Sequence, residues 1–398
     1  MPGQTVMRDP REQVSSGRPT NGNVPKLKSK RPKAPFWAKA VTTFGAVLAV
    51  LGGTGVIGVN YFMSQLTDNI QTTSSVLGGE SGSTTTASGK LPDGAMNLLM
   101  LGLDTRAGWE QSGQTSRSDT MMILHITKEH DQAFMISLPR DMKVDIPADK
   151  DLGTNATTDK INSAYALGSE NKRGWTGGAK LATKTVHQLT GITFDGVVVI
   201  DFAGFQGILQ AMGGVYMCVD KDVWSSHYIM VNGKLQYAVG ADPTSPPKNA
   251  VWFKKGCRVM APWEALEFSR IRHSSNGDYD RQRHQQQLLR AMAKKASSAG
   301  VVGNPAKVAA ILKAAGSSLK MDTHGVSVSD FIFGLKSLAA ADLIPIKTNG
   351  GTFASVDNGK YEGITQDTKD LFRATAGDNL RDFLGLHPEM LISDGATS

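Results

Sequence analysis

The stretch MNLLMLGLDTRAGWEQSGQTSRSDTMMILHITKEHDQAFMISLPRD, Met96–Asp141, decides the fold class. It holds three short apolar runs, Met96–Leu103, Met121–Ile126 and Gln132–Leu138, each bounded by polar loops. Runs of that length and setting read as strands. If they form an antiparallel meander, the end of the first, the start of the second and the end of the third fall at one sheet edge. Asp104 and Thr105 close the first run. Arg117, Asp119 and Met121 open the second, and Arg140 and Asp141 follow the third. Asp104, Arg117, Asp119 and Arg140 are therefore expected to converge. Arg117 and Asp119 are two apart, so in extended chain they share a face. The plain alternative is a set of solvated strand-end charges. Recurrence of acids and arginines at one edge favours a site.

Downstream the alternation of strand and helix continues. Ala179–Leu189 has helical spacing and ends at Gly191. Gly196–Ile200 reads as a strand and Phe202–Met212 as a helix ending at Gly213-Gly214. Arg281–Ser298, Pro305–Ala315 and Val328–Ala339 read as helices, and Leu343–Lys347 as a late strand. Residues 225–256 form a long excursion, with a hairpin expected at Asn232-Gly233. There is no internal repeat and no second linker, so 94–390 is expected to be one mixed α/β domain. His125, His130 and His187 have no partner signature and read as structural.

A second polar cluster lies in EFSRIRHSSNGDYDRQRHQQQLL. Arg270 and Arg272 alternate around Ile271, so in extended chain they point the same way. Arg281 and Gln285 are four apart at a helix start and share a face. Asp278 sits at or just before that start. A helix N-terminus favours anions, and arginine's planar fork binds phosphate oxygens in pairs. The pattern suits phosphate or pyrophosphate. The carboxylates Asp104 and Asp119 suit Mg²⁺ (with Mn²⁺ as the alternative ion) that keeps some waters and bridges to phosphate. The plain alternative is a solvated basic helix face.

The charge balance points away from nucleic acid. The 398-residue chain carries 43 Lys and Arg against 36 Asp and Glu. The first 39 residues hold nine of the bases (Arg8, Arg11, Arg18, Lys26, Lys28, Lys30, Arg31, Lys33 and Lys39) and two acids, Asp9 and Glu12. That tail accounts for the whole excess of +7, and the rest is neutral. It is polar and rich in Pro and Gly, so 1–39 reads as a disordered basic tail. Ala40–Val59 carries no charge, and a helix of about 20 residues spans a bilayer of roughly 30 Å. A cleaved signal peptide would have a shorter apolar run, so 40–62 is expected to be a single transmembrane helix. The basic flank places the tail in the cytoplasm, against anionic lipid, and everything later outside. Residues 63–93, rich in Ser, Thr and Gly, read as a flexible spacer. Cys218 and Cys257 both fall on the exported, oxidising side, which favours a disulfide between them. Two separate buried thiols are the alternative.

With these residues in view, the chain resembles the LytR-CpsA-Psr family. The matching stretches are LLMLGLDTR, SRSDTMMILHI, SLPRDMKVDIP, KINSAYALG, VVVIDFAGFQGILQAMGGV, and WEALEFSRIRH through GDYDRQRHQQQLL. They stand in the family's order over roughly 96–295. The resemblance implies an α/β/α sandwich with a central mixed sheet and a lipid-accepting pocket. It implies transfer of a glycopolymer from a polyprenyl pyrophosphate carrier onto peptidoglycan, with Mg²⁺. The family's metal-binding carboxylates match Asp104 and Asp119. Its pyrophosphate-binding residues match Arg117, Arg140, Arg270, Arg272, Arg281 and Gln285. Asp278 matches the acid before the last arginine, and Lys160 of the KIN stretch is expected to reach a sugar or phosphate. His284 stands where the family often has a second arginine, and Pro262 where it often has Gly. Phe202, Phe205, Ile208, Leu209 and Met212 lie at helical spacing. They read as core, although in this family helices also wall a lipid tunnel.

The leading reading is a membrane-anchored phosphotransferase with an extracytoplasmic catalytic domain and no nucleic-acid partner. Its partners would be membrane lipid, the lipid-linked glycopolymer and peptidoglycan. Arg117 and Mg²⁺ would stabilise charge on the transferring phosphoryl group, and a nearby Asp would take the acceptor's proton. A pyrophosphatase would use water at the same site. A transcriptional regulator would need a DNA-reading element, which the proline-broken tail lacks. A non-catalytic binder of lipid-linked glycans would not need the two carboxylates.

Overall fold

The three apolar runs that open the domain become the middle of a seven-stranded sheet. The computed structural model describes residues 70–77, 94–105, 115–238, 245–272, 276–301, 304–326, 328, 331 and 342–392, all within one unit, Ile57–Ser398. The basic tail 1–39 and the uncharged run 40–62 lie outside the described residues. So do most of the expected spacer and of the expected helix Val328–Ala339. No helix among the described residues is long and apolar enough to cross a membrane.

The first half of the fold holds β1 (Gln71–Thr73), β2 (Met96–Leu103), β3 (Ser118–Ile126), β4 (Gln132–Leu138), β5 (Lys143–Ile146), β6 (Thr157–Lys160), α1 (Ser163–Ser169), α2 (Gly174–Thr190), β7 (Gly196–Asp201) and α3 (Phe202–Met212). Then come β8 (Val215–Val219), β9 (Val223–Val231), β10 (Lys234–Tyr237), β11 (Ala250–Phe253), β12 (Gly256–Met260), α4 (Pro262–Phe268) and α5 (Asp278–Ser298). The chain closes with α6 (Pro305–Ala315), β13 (Leu319–Asp322), β14 (Asp342–Ile346), α7 (Gln366–Ala376) and α8 (Leu380–Leu386).

The sheet order is β1-β13-β7-β2-β3-β4-β14. The meander β2–β3–β4 is antiparallel, while β7 runs parallel to β2 and β14 parallel to β4, so the sheet is mixed. Alternation along the strands loads both faces with apolar side chains. Leu99, Leu101, Ile123 and Ile136 pack with Leu181 and Val186 of α2 and Leu371 and Phe372 of α7. Leu98, Ile126 and Met321 pack on the other face with Val308 and Leu312 of α6. Helices on both sides make an α/β/α sandwich. A third apolar cluster joins α3, α4 and α5 to β8, β12 and Phe253. Helix α3 lies so close to α6 that a Cβ on Gly207 would come within 2.2 Å of the Ala314 carbonyl oxygen.

The spacer expected over 63–93 is corrected at 70–77. Gln71–Thr73 pairs in parallel with Lys320–Asp322 at the sheet edge, and Ile70, Val76 and Leu77 are buried. The fully buried Asp322 carboxylate accepts from the backbone N–H groups of Val76, at 2.9 Å, Leu77, at 3.0 Å, and His324, at 2.9 Å. This polar clamp fixes a segment whose own sequence is hydrophilic.

The excursion carries its hairpin where expected. Val231 pairs with Lys234 across Asn232-Gly233, whose φ angles of 50° and 72° are those of a two-residue turn matched to strand twist. Strands β8 and β12 form a second antiparallel ladder in which Cys218 lies opposite Cys257, and a disulfide joins them. The three histidines read as structural are so placed. His125 bonds Asn97 and lies 3.2 Å from the Asp378 carboxylate, His130 bonds the Gly94 carbonyl, and His187 bonds the Ile192 carbonyl.

Candidate active site

Asp119 sits where the meander loses its regularity. The β2–β3 register slips between Gly102 and Leu103, which pair with Thr120 and Ser118, so Asp119 is the extra residue of a bulge. Bulges at sheet ends re-aim side chains. One Asp119 oxygen, Oδ2, receives Arg140 Nη1 at 3.1 Å and Arg272 Nη2 at 3.0 Å. Its backbone carbonyl accepts from Arg281 Nη2 at 2.8 Å, and Oδ1 has only a long contact of 3.5 Å with Asn162 Nδ2. Burial alone would raise this carboxyl, but Arg140, Arg272 and Arg281 outweigh it and hold Asp119 below the usual carboxylate range.

Arg117 lies immediately before β3, two residues ahead of the bulge. Arg117 is exposed, and its guanidinium makes no hydrogen bond or ion pair with another described residue.

Helix α5 delivers the next layer. Its first residue, Asp278, pairs with Arg281 one turn on at 2.7 Å and lies 3.7 Å from Arg140 Nε. Arg140 also meets Asp141 at 3.5 Å, and Asp141 binds Lys160 at 2.7 Å. Lys160 is thus held by an acid of the domain itself. Burial pushes the Arg281 guanidinium down to about 10, opposed by Asp278, so it is still charged at neutral pH. Its Nε–H is buried with no hydrogen-bond partner among the described residues, a donor left over for an anion.

Arg270, Arg272, Arg281, Gln285, Asp104, Phe202, Ser226 and His227 line one cavity of about 220 Å³. The segment after α4 supplies the first two arginines, on either side of the buried Ile271. The Arg270 guanidinium lies 4.0 Å over the Phe202 ring and 3.9 Å from both Asp104 and Glu267. Gln285 donates to Thr120 Oγ1 at 3.0 Å, tying α5 to the bulge. Three guanidiniums on one cavity, with apolar backing, form an anion cradle. Beside it, between the sheet, α3 and α5, runs a narrow apolar slot of about 80 Å³ lined by Met100, Met122, Val198, Phe202, Phe205 and Leu288. Phe202 and Gln285 line both the slot and the arginine cavity. Of the α3 stripe, Leu209 is buried in core, while Phe202 and Phe205 wall this slot.

Oxygen donors able to hold a hard cation are present: Asp104, which is half-exposed, Asp119 Oδ1, and the buried Asn162 Oδ1, which lacks a hydrogen-bond partner among the described residues. Among those residues no group of three or more acids, His or Cys is placed to hold a metal, so an ion here would complete its shell with phosphate oxygens and water.

His284 is not part of the cradle. It is buried, stacked on Phe268 at 4.0 Å and turned to Asp220. Asn162, Thr120, Glu267 and His227 were missed by sequence reasoning. Asn162 stood inside the quoted KIN stretch. Glu267 and His227 meet only because the excursion folds back on α4, which no local spacing announces.

The sequence profile described as the LytR_cpsA_psr family matches residues 60–372. The chain belongs to this family. Among its LytR_cpsA_psr relatives is the cell wall biosynthesis protein LcpA of Corynebacterium glutamicum, 26% identical over 353 residues, covering 79% of this chain and 61% of LcpA. Another is the polyisoprenyl-teichoic acid–peptidoglycan teichoic acid transferase TagU of Oceanobacillus iheyensis, 30% identical over 219 residues, covering 55% of this chain and 57% of TagU. The chain thus spans roughly three fifths of the length of either relative. The crystal structure of Bacillus subtilis TagV superposes with a TM-score of 0.52 at 21% identity, over 73% of this chain and 99% of TagV. That likeness is one of fold.

Proposed function

We propose that this LytR_cpsA_psr protein is a phosphotransferase that moves a glycopolymer from a polyprenyl pyrophosphate carrier onto peptidoglycan and releases polyprenyl phosphate. The observation that carries the reading is the junction of an arginine-lined cavity with an apolar slot. A lipid pyrophosphate has those two parts in that order. Arg270, Arg272 and Arg281 grip the pyrophosphate, and Phe202 and Phe205 meet the first prenyl units. Asp119 holds Arg140 and Arg272 in place, so the cradle is ordered before the donor arrives. Mg²⁺ held by Asp104 and Asp119 would neutralise phosphate charge and favour departure of the prenyl phosphate. Lys160, joined to Arg140 through Asp141, would reach the sugar or its phosphate. The uncharged run 40–62 would anchor the chain in the membrane by one span, with the domain outside the cell. Names of relatives that carry cell wall biosynthesis or teichoic acid transfer support the substrate class.

The test incubates the purified full-length protein in detergent with Mg²⁺ and a polyprenyl-pyrophosphate glycan, with and without peptidoglycan fragments. Release of polyprenyl phosphate that depends on the fragments is the expected result. Release without them would make the protein a hydrolase, and donor binding with no release would make it a binder.

A further inference from the structure

Glu267 is fully buried at the end of α4, yet it is a carboxylate with no lysine or arginine closer than 3.9 Å. What satisfies it comes from the excursion. Ser225 Oγ donates to Glu267 Oε1 at 2.6 Å, and the His227 backbone N–H donates to the same oxygen at 3.1 Å. His227 Nδ1 lies 3.0 Å from Oε2. Burial would raise the Glu267 carboxyl, but His227, Ser225 and Arg270 together hold it below its usual value. The acid is therefore an anion and can only accept. Nδ1 of His227 must carry the proton, which leaves Nε2 as the lone-pair nitrogen of the neutral ring.

That second nitrogen has no hydrogen-bond partner among the described residues. The side chain is 28% exposed and lines the arginine cavity. A buried carboxylate orienting an imidazole that lines a polar cavity, with its other nitrogen unbonded, is the arrangement by which proteins build a general base. Asp119, the acid nearest the cradle's centre, is badly suited to that task. Three arginines stabilise its anion, and a stabilised anion is a weak proton acceptor.

We propose that His227, positioned by Glu267, is the general base that takes the proton of the acceptor hydroxyl. The proposal rests on the transferase reading above. As the acceptor oxygen bonds to the phosphorus that bears the sugar, its proton passes to Nε2. The bond from that phosphorus to the bridging oxygen breaks, and prenyl phosphate leaves with the electron pair. The imidazolium so formed faces the Glu267 anion and later returns its proton to solvent. The groups around the ring are Glu267 and Arg270 from α4 and its following turn, Tyr228 on its own strand, and Tyr237 on β10 at 6.0 Å. Across the cavity stand Asp104, Arg272 and Arg281.

The experiment measures turnover against pH in the full-length protein with the lipid-linked glycan and peptidoglycan fragments. Wild type should lose kcat as pH falls, with the slope of one proton. His227→Ala should lose about 10²-fold or more in kcat and the acid limb with it. The KM for the donor should stay within about twofold, because the arginines are untouched. Added imidazole should restore part of the rate to His227→Ala, which a merely structural role would not allow. Glu267→Gln should lower kcat by about tenfold with the donor KM held, since an amide no longer fixes the Nδ1–H tautomer as the carboxylate does. If Glu267→Gln fails to fold, His227→Ala, on a partly exposed side chain, still decides. Wild-type kcat with an unchanged acid limb in His227→Ala would overturn the proposal. If the wild type releases prenyl phosphate without acceptor, the transferase reading fails while the same variants judge His227 as the base for water. If neither arm of the wild type turns over, both readings fall.

Discussion

Asp119 concentrates the chemistry of the site, because one carboxylate oxygen carries two guanidiniums. Asp119→Ala removes an anion from a cluster of arginines. The cluster becomes more positive, so it should bind a polyprenyl pyrophosphate as well as wild type or better. Turnover should nonetheless fall by about 10²-fold or more, since arginine geometry and the proposed ion site are both lost. A lipid-binding titration beside a product-release assay separates the two effects. Loss of binding in step with turnover would contradict this account. Arg272→Lys tests the cradle differently. Lysine keeps the charge but not the planar fork, so donor affinity should drop about tenfold, or 1.4 kcal/mol, with the fold intact by circular dichroism. At this scale the sequence was partly legible. Arg270 and Arg272 alternate around a buried isoleucine, and Arg281 and Gln285 share a helix face, so their convergence could be read from spacing. The bulge at Asp119 was not legible, because a single extra residue leaves no mark in a pattern of alternating residues.

Among the elements, legibility followed the strength of the local signal. Helix α6 has the bounds expected because Pro305 opens it and Asn304 caps it, accepting from the N–H groups of Ala306 and Lys307. The turn at Asn232-Gly233 was fixed by residues that tolerate positive φ. Strands β1 and β13 escaped notice. Gln71–Thr73 is polar and three residues long, and Leu319–Asp322 buries Lys320 and Asp322. Their stability comes from backbone pairing and the Asp322 clamp, not from an apolar pattern. The disulfide belongs to this scale too. It crosses the β8–β12 ladder between residues 39 apart, and β8 contributes Val215, Met217 and Val219 to the cluster under the cradle. In the chain-entropy model, closing such a loop stabilises by roughly 3–4 kcal/mol. Reduction should therefore lower the melting temperature, read by differential scanning fluorimetry with and without reductant. An unchanged melt would show that the ladder holds without it.

For the whole molecule, acidity is the informative variable. His284 is buried, and burial lowers it below the ordinary histidine value despite neighbouring Asp220. The fold therefore favours its neutral form, in which Nε2 accepts from Arg283, while the unfolded chain protonates it near pH 6.5. Between pH 7.5 and 5.5 the unfolded state binds more protons, so stability falls as pH falls, by up to about 1.4 kcal/mol for this histidine. Thermal unfolding at the two pH values should show the loss, and His284→Gln should shrink it. Equal melting temperatures would refute it. The Asp322 clamp has a consequence of another kind. A protease site engineered between residues 78 and 93 would cut the covalent path from β1 to the rest of the sheet. The two pieces would still be bound through parallel strand pairing and the two N–H groups, of Val76 and Leu77, that reach Asp322 across the cut. The nicked protein would behave as a two-chain complex that copurifies until denatured, with everything before residue 78 held to the rest of the domain by hydrogen bonds and packing alone.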